Sequence, residues 1–374
     1  MLKNLEADRA CVAETAAQLH NLEHLVAKLR AEQAAAQERL DSYKYPVLTL
    51  PNEIVSEIFI HFLATYSRFH SPIRRSILTP LTEICRKWRE IALATPALWS
   101  GIAFCDSDIP TSLRHRTSCS SPISEWLRRS SSHPLSILII DQYSSPSDMS
   151  RATIATLVQH RARWEHAKLH LRDSVRLIDV PLPRLRHLDL TLSSPTILWG
   201  FHDLPQLRSV VLNRVAAMSV TLPWAQLTSL TLRDGIERSG CLAILKQTKT
   251  LVHCTLNLSE YRGFMDPDIN VSLPCLKTLI FTSHGAWGES VVDFLATLIV
   301  PALIELRIPQ RFLGTNPSGS LSSFISKSGC TLQELRIWTE NSLECRHLRD
   351  GYREAFPSIQ GIFVESESSQ VIHY

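Results

Sequence analysis

The sequence predicts a mixed α/β protein: one long N-terminal helix, a small all-α segment, then a stack of parallel strands joined by short helices. Three observations predict it. Residues 1–40 contain neither glycine nor proline, residues 47–103 carry two short apolar helical faces introduced by prolines, and one leucine pattern returns nine times between residues 169 and 364. With 374 residues, 44% of them hydrophobic, the chain has material for a substantial core.

The opening segment is built from alanine, leucine, glutamate, glutamine and arginine, all good helix formers. Leu5, Val12, Leu19, Val26, Gln33 and Leu40 stand seven residues apart, and Asp8, Thr15, Leu22, Leu29 and Ala36 occupy the partner position three residues on. The seam is strongest from Val12 to Leu29. This heptad spacing predicts a coiled-coil helix over residues 1–42, with self-association through residues 5–40. The other arrangement it allows is a single amphipathic helix lying on the rest of the protein. Five basic and six acidic side chains over residues 1–40 repel neither a partner nor one another in bulk.

Pro46 ends this helix, because proline lacks an amide donor and biases its predecessor toward extended backbone. A second helix follows over 47–63, with Pro51 in its first turn and Glu53 and Glu57 near its positive end. Ile54, Ile58, Phe59, Phe62 and Leu63 recur at three- and four-residue spacing and predict one apolar face. Residues 64–78 are polar and basic and predict a loop. A third helix is expected from Pro80 to Leu93, with Leu81, Ile84, Cys85, Trp88 and Ile91 on its face, followed by Leu98 and Trp99. A unit this small hides little of its own surface. The apolar excess must dock either on the downstream chain or on another protein.

The stretches "LTLPNEIVSEIFIHFL" and "ICRKWREIALATPALWSGI" resemble an F-box, in the F-box-like form common in fungal proteins. The matching positions are Leu50-Pro51, Glu53-Ile54, Ile58-Phe59, Leu63, Cys85, Trp88-Arg89, Ile91-Ala92, Pro96 and Leu98-Trp99. The loop "ATYSRFHSPIRRSILTP" between them is longer than in the compact form of the motif. The resemblance implies an F-box-like domain over residues 46–105 that docks on the Skp-type adaptor of a cullin–RING ubiquitin ligase. Carried over by position, the adaptor contacts would come from Leu50, Pro51, Ile54, Ile58, Phe59, Ile84, Cys85, Trp88, Leu98 and Trp99. A second protein would then complete the core that two short helices leave open.

Residues 106–134 are serine-rich and predict a linker with a short helix around Glu125–Arg129; "LSILIID" (135–141) predicts a strand by alternation. Over the final segment, 135–374, the leucine pattern takes over. "LRHLDL", "LRSVVL", "LTSLTL", "LVHCTL", "LKTLIF", "LIELRI", "LQELRI" and "IQGIFV", with an earlier "HAKLHL", centre on residues 169, 188, 210, 230, 254, 279, 306, 335 and 362. The steps range from 19 to 29 residues. Such units resemble irregular leucine-rich repeats, a solenoid in which each strand points its leucines inward and neighbours share a core. The longer later steps leave room for helices, as at 288–300 and 318–328. Those helices argue against the structural competitor, a closed β-fold. Alternation puts other side chains on the outward face, and the candidate target-binding residues there are Arg172, Asp189, Asn213, Arg233, Asn257, Arg307, Arg336 and Trp338.

The remaining patterns restrict the function classes. A net charge of +3 with scattered arginines argues against nucleic acid as a partner. The start lacks an apolar signal core, and no run of about 20 apolar residues predicts a membrane helix. Nine dispersed cysteines then read as reduced thiols of a cytoplasmic or nuclear protein. No phosphate-binding glycine loop, nucleophile elbow or zinc-ligand spacing occurs; "GTNPSGS" (314–320) reads as a surface loop. No catalytic residue, metal or cofactor is therefore expected. The expected role is that of a non-enzymatic, substrate-recognising F-box subunit of an SCF-type ligase, with an unknown target on the repeats. The alternative is an interaction scaffold with an F-box-like fold and no part in ubiquitin transfer.

Overall fold

A computed structural model describes residues 2–42, 46–64, 78–105, 107, 122–141, 148–171, 181–193, 199–200, 203–259, 269–282, 291–339 and 345–366. The chain is a mixed α/β protein with a long N-terminal helix and one large, open, all-parallel sheet.

Helix α1 spans Leu2–Ser42. From Leu5 onward its residues are exposed, apart from a half-buried Ala36, so α1 does not lie on the rest of the described protein. After a 3₁₀ turn at Pro46–Thr49 come α2 (Asn52–Ala64), α3 (Leu78–Glu83) and α4 (Arg86–Ala94). The single helix expected over 80–93 is thus two. The break falls at Ile84–Cys85, where the Cys85 sulfur accepts the Trp88 amide and caps α4. Two long polar side chains brace the unit. The Lys87 ammonium donates to the carbonyls of Leu48 (2.7 Å) and Leu50 (3.0 Å), and Arg89 Nε donates to the Thr82 carbonyl (2.6 Å). The loop expected over 64–78 falls almost wholly outside the described residues.

The sheet begins earlier than the sequence suggests. Strand β1 (Gly101–Cys105) pairs in parallel with β2 (Leu135–Ile140), so the last residues of the 46–105 segment belong to the sheet. Helix α5 (Pro122–Arg129) is no mere linker. Its Ile123, Trp126 and Leu127 are buried, and Trp126 meets Trp99 edge-on at 4.8 Å. This edge-on pair of buried tryptophans joins the helical unit to α5, which local sequence cannot foretell.

Helix α6 (Asp148–Gln159) leads to β3 (Trp164–Leu171) and β4 (His187–Leu192). Then follow β5 (Trp199–Gly200), β6 (Ser209–Leu212), α7 (Arg214–Ser219), β7 (Val220–Thr221), β8 (Ser229–Ile236), α8 (Arg238–Leu245) and β9 (His253–Leu258). The chain continues through β10 (Val271–Ser272), β11 (Thr278–Thr282), α9 (Val292–Thr297), β12 (Leu298–Ile299), β13 (Glu305–Pro309), α10 (Pro317–Ser328), β14 (Glu334–Thr339), α11 (Cys345–Ala355) and β15 (Gly361–Ser366). Half of the expected surface loop 314–320 is the start of α10, which Asn316 caps through the Gly319 amide.

The eleven-stranded sheet runs β1-β2-β3-β4-β6-β8-β9-β11-β13-β14-β15, with β1 and β15 at its edges; β5–β7 and β10–β12 form two small parallel pairs. One rung joins Ala167, Leu188, Val210, Leu230, Cys254, Leu279, Leu306, Leu335 and Ile362 directly across neighbouring strands. Eight of these are the centres read from the leucine pattern. The first unit is shifted by two residues, and its Leu169 pairs with Leu190. The leucines on either side of each centre are buried as well, among them Leu185, Leu207, Leu227, Leu251, Leu276 and Leu303. One continuous apolar layer therefore runs under the sheet from Ile102 to Ile362. Rise and register explain it: strands about 4.8 Å apart stack identical side chains without a gap.

Two asparagines lock this stack. Asn213, buried after β6, accepts from the Leu192 and Ala216 amides (3.1 and 2.9 Å) and donates to the Leu192 carbonyl (2.8 Å). Asn257 at the end of β9 accepts the Gly235 amide at 3.1 Å. Gly235 (φ +65°), with Asp234 (φ +62°) before it, forms an irregularity in β8 that a glycine accommodates without strain.

Candidate protein-interaction surfaces

Two surfaces collect the residues singled out by the sequence. The first is the helical unit. On α2 the apolar positions form two stripes rather than one face. Val55, Phe59 and Leu63 point inward, and Phe59 packs edge-on against Trp88 with ring centres 5.0 Å apart. Ile54, Ile58 and Phe62, each one position earlier, point outward; Ile54 and Ile58 are 49% and 47% exposed. The expected grouping of Ile54, Ile58 and Phe59 on one face is corrected here. At 100° per residue, neighbouring positions straddle the boundary between core and solvent.

The ten proposed adaptor contacts divide accordingly. Ile54, Ile58, Pro51 and Ile84 are exposed, with Ile84 at 59% in the break between α3 and α4; Leu50, Cys85 and Trp88 are half-buried. Phe59, Leu98 and Trp99 are buried within the protein's own core and are not surface contacts. Trp99 makes its hydrogen bond internally, Nε1 donating to the Ala92 carbonyl at 2.9 Å, and the Arg129 guanidinium stacks 4.5 Å from its ring. The sequence presents Leu98 and Trp99 as apolar excess because their cover, α5, lies more than 20 residues downstream. Glu125 on α5 accepts two hydrogen bonds from Arg128 and one from Arg129, each 2.7 Å, and these hold its carboxyl pKa down to about 2.

Between α2 and α4 lies a depression of about 360 Å³ lined by Glu53, Ser56, Lys87 and Glu90 among others. Among the described residues no group of three or more His, Cys, Asp or Glu is placed to hold a metal ion, and no helix is long and apolar enough to cross a membrane.

The second surface is the polar face of the sheet. Arg233, Arg307 and Arg336 are half-exposed there, whereas Arg172 lies outside the described residues. Asp189, Asn213, Asn257 and Trp338, expected outward, are buried. Asp189 is a short side chain shaded by longer neighbours about 4.8 Å to either side, the two asparagines turn back to the backbone, and Trp338 stands between Pro309 and Glu365 of the flanking strands.

Charge is distributed unevenly along this face. Toward its β3 end, Asp189 lies between Lys168 on the adjacent strand (3.5 Å) and Arg233 on β8 (3.6 Å). His170 neighbours this group, and burial pushes its pKa down against the opposing pull of Asp189. Toward the β15 end, Glu305 pairs with Arg307 and Glu334 with Arg336; Arg336 also reaches Glu365 (3.4 Å) and stacks 4.7 Å from the Phe363 ring. Between them most outward positions are hydroxyls, including Ser209, Ser229, Thr231, Thr255 and Thr278, with Val211, His253 and Ile280 among them. Comparison with known protein families and with curated proteins finds no match to this chain.

Proposed function

We propose that the protein is a non-catalytic substrate receptor of an SCF-type cullin–RING ubiquitin ligase, binding a Skp-type adaptor through its helical unit and a target through the polar face of its sheet. The observation that carries this reading is the outward apolar stripe of Ile54 and Ile58, with Ile84, inside the segment that resembles an F-box. A helix whose second apolar stripe stays in water has surface to offer a partner. In this reading the stack of leucine-centred strands is an irregular leucine-rich-repeat solenoid, and its polar face selects the target. The receptor supplies no reactive group. It raises the local concentration of target lysines beside the charged conjugating enzyme.

The test is co-expression with a Skp-type adaptor, purification and sizing of the complex, beside the double variant Ile54→Asp/Ile58→Asp. Both side chains are exposed, so the variant should keep the parent's unfolding free energy to within about 0.5 kcal/mol. The parent should co-purify with the adaptor in a fixed ratio and the variant should not. A folded parent that ignores the adaptor refutes the reading. A variant that binds undiminished refutes the contact assignment.

A further inference from the structure

Helix α1 is 41 residues long and stands clear of the described protein. Most helices in proteins owe their stability to a packed apolar face. Here that face is in water: Leu19, Leu22, Val26 and Leu29, four successive seam positions, are 44–61% exposed, with Leu25 beside them. Leu5, Val12 and Leu40 continue the row, also exposed. The row repeats every 3.5 residues rather than 3.6. That period stays on one side of a helix only when a second helix wraps around it.

The length of the seam identifies the second helix. At about 1.5 Å per residue, α1 extends roughly 60 Å. The next longest described helix of this chain, α2, has 13 residues and covers barely a third of that. A helix of matching length with a matching seam exists in another copy of the chain. The surface is of the right kind: Leu19, Leu22, Leu25, Val26 and Leu29 form one contiguous exposed apolar strip, and an apolar strip left in water marks an interface. The charge permits it, since five basic and six acidic residues nearly cancel over residues 1–40. Asp8, Thr15 and Gln33 interrupt the seam at either side, which confines the apolar block to Leu19–Leu29.

We infer that the protein is a dimer joined through α1, with Leu19, Leu22, Val26 and Leu29 as the buried layers between two copies. The consequence is two-fold valency: two helical units and two sheet faces travel together, so a partner with two binding sites gains effective concentration without any new contact. The inference stands apart from the proposed ligase role, because its test reads mass alone.

The full chain, 42.2 kDa, is sized by light scattering and sedimentation equilibrium from about 1 to 100 μM. The parent should have the mass of two chains at the upper end. The double variant Leu22→Asp/Leu29→Asp should have the mass of one, losing no more helical circular dichroism than α1 itself supplies and keeping the parent's unfolding midpoint for the rest of the fold, while Leu22→Met/Leu29→Met keeps the dimer. A parent of one-chain mass at 100 μM overturns the inference, as does a parent of three or four chains. An aspartate variant that remains dimeric also overturns it, since the interface would then lie elsewhere.

Discussion

Replacing Trp126 with alanine tests whether α5 is a linker or a structural clamp. The indole is only 7% exposed and lies edge-on to Trp99 at 4.8 Å, 74° between planes. Truncating a buried tryptophan costs about 3–5 kcal/mol, of which the aromatic pair contributes roughly 0.5–1.5. Collapse cannot refill the space cheaply. Trp99 is held by its bond to the Ala92 carbonyl and by Arg129 above its ring. One term works the other way. Trp126 Nε1 is buried without a hydrogen-bond partner, and removing an unsatisfied donor returns about 1 kcal/mol or more. The net expectation is a loss of about 3 kcal/mol. The assay is urea unfolding followed by circular dichroism and tryptophan fluorescence, with coincidence of the two transitions as the condition for a single free energy. With a slope of roughly 3 kcal/mol/M the midpoint should fall by about 1 M. Trp126→Phe keeps a ring and deletes the unpaired donor, so it should cost less than about 1.5 kcal/mol. A Trp126→Ala midpoint within about 0.2 M of the parent would refute the reasoning and return residues 106–134 to the status of a linker.

Asn213→Ala removes three hydrogen bonds of a buried side chain and the cap of α7, and should lower stability by about 2–3 kcal/mol in the same titration; a loss under 0.5 would mean the bonds are idle. Burial, with Lys168 and Arg233 nearby and Asp189 opposing, disfavours the charged form of His170, so its folded pKa lies below the unfolded 6.5. The unfolded chain then binds the extra proton, and stability should fall as the pH drops through about 6.5. His170→Gln should flatten that slope between pH 7.5 and 5.5, and an unchanged slope would place the titration elsewhere. Burial raises the thiol pKa of Cys241 and Cys254, so a brief maleimide pulse on the native protein, read by peptide mass spectrometry, should label the exposed Cys11 and Cys275 and spare these two. Equal labelling of all four would contradict the burial of Cys241 in α8 and Cys254 in β9.

The sheet was legible to within a residue wherever the leucine pattern was regular. The centres at 188, 210, 230, 254, 279, 306, 335 and 362 meet in one rung. A strand's inward residues are fixed by period-two alternation, and identical strands in parallel leave little choice of register. Where alternation was diluted, the reading slipped. The stretch Gly101–Cys105 carries no leucine triplet and was absorbed into the helical segment, although its Ile102 and Phe104 are fully buried in β1.

The heptads of α1 and the leucine triplets of the sheet are local patterns, and the sequence by itself determined both, because each residue's direction follows from its neighbours in the chain. Which stripe of α2 enters the core, which outward strand residues are shaded, and what covers Trp99 were decided by the tertiary structure alone. Ile54 and Val55 are adjacent and similarly apolar, yet one lies in water and the other is 1% exposed. Nothing within α2 distinguishes them. The choice is made by Trp88 packing against Phe59 and by Trp126, 67 residues beyond Phe59, closing over Trp99, contacts between segments that local sequence does not relate.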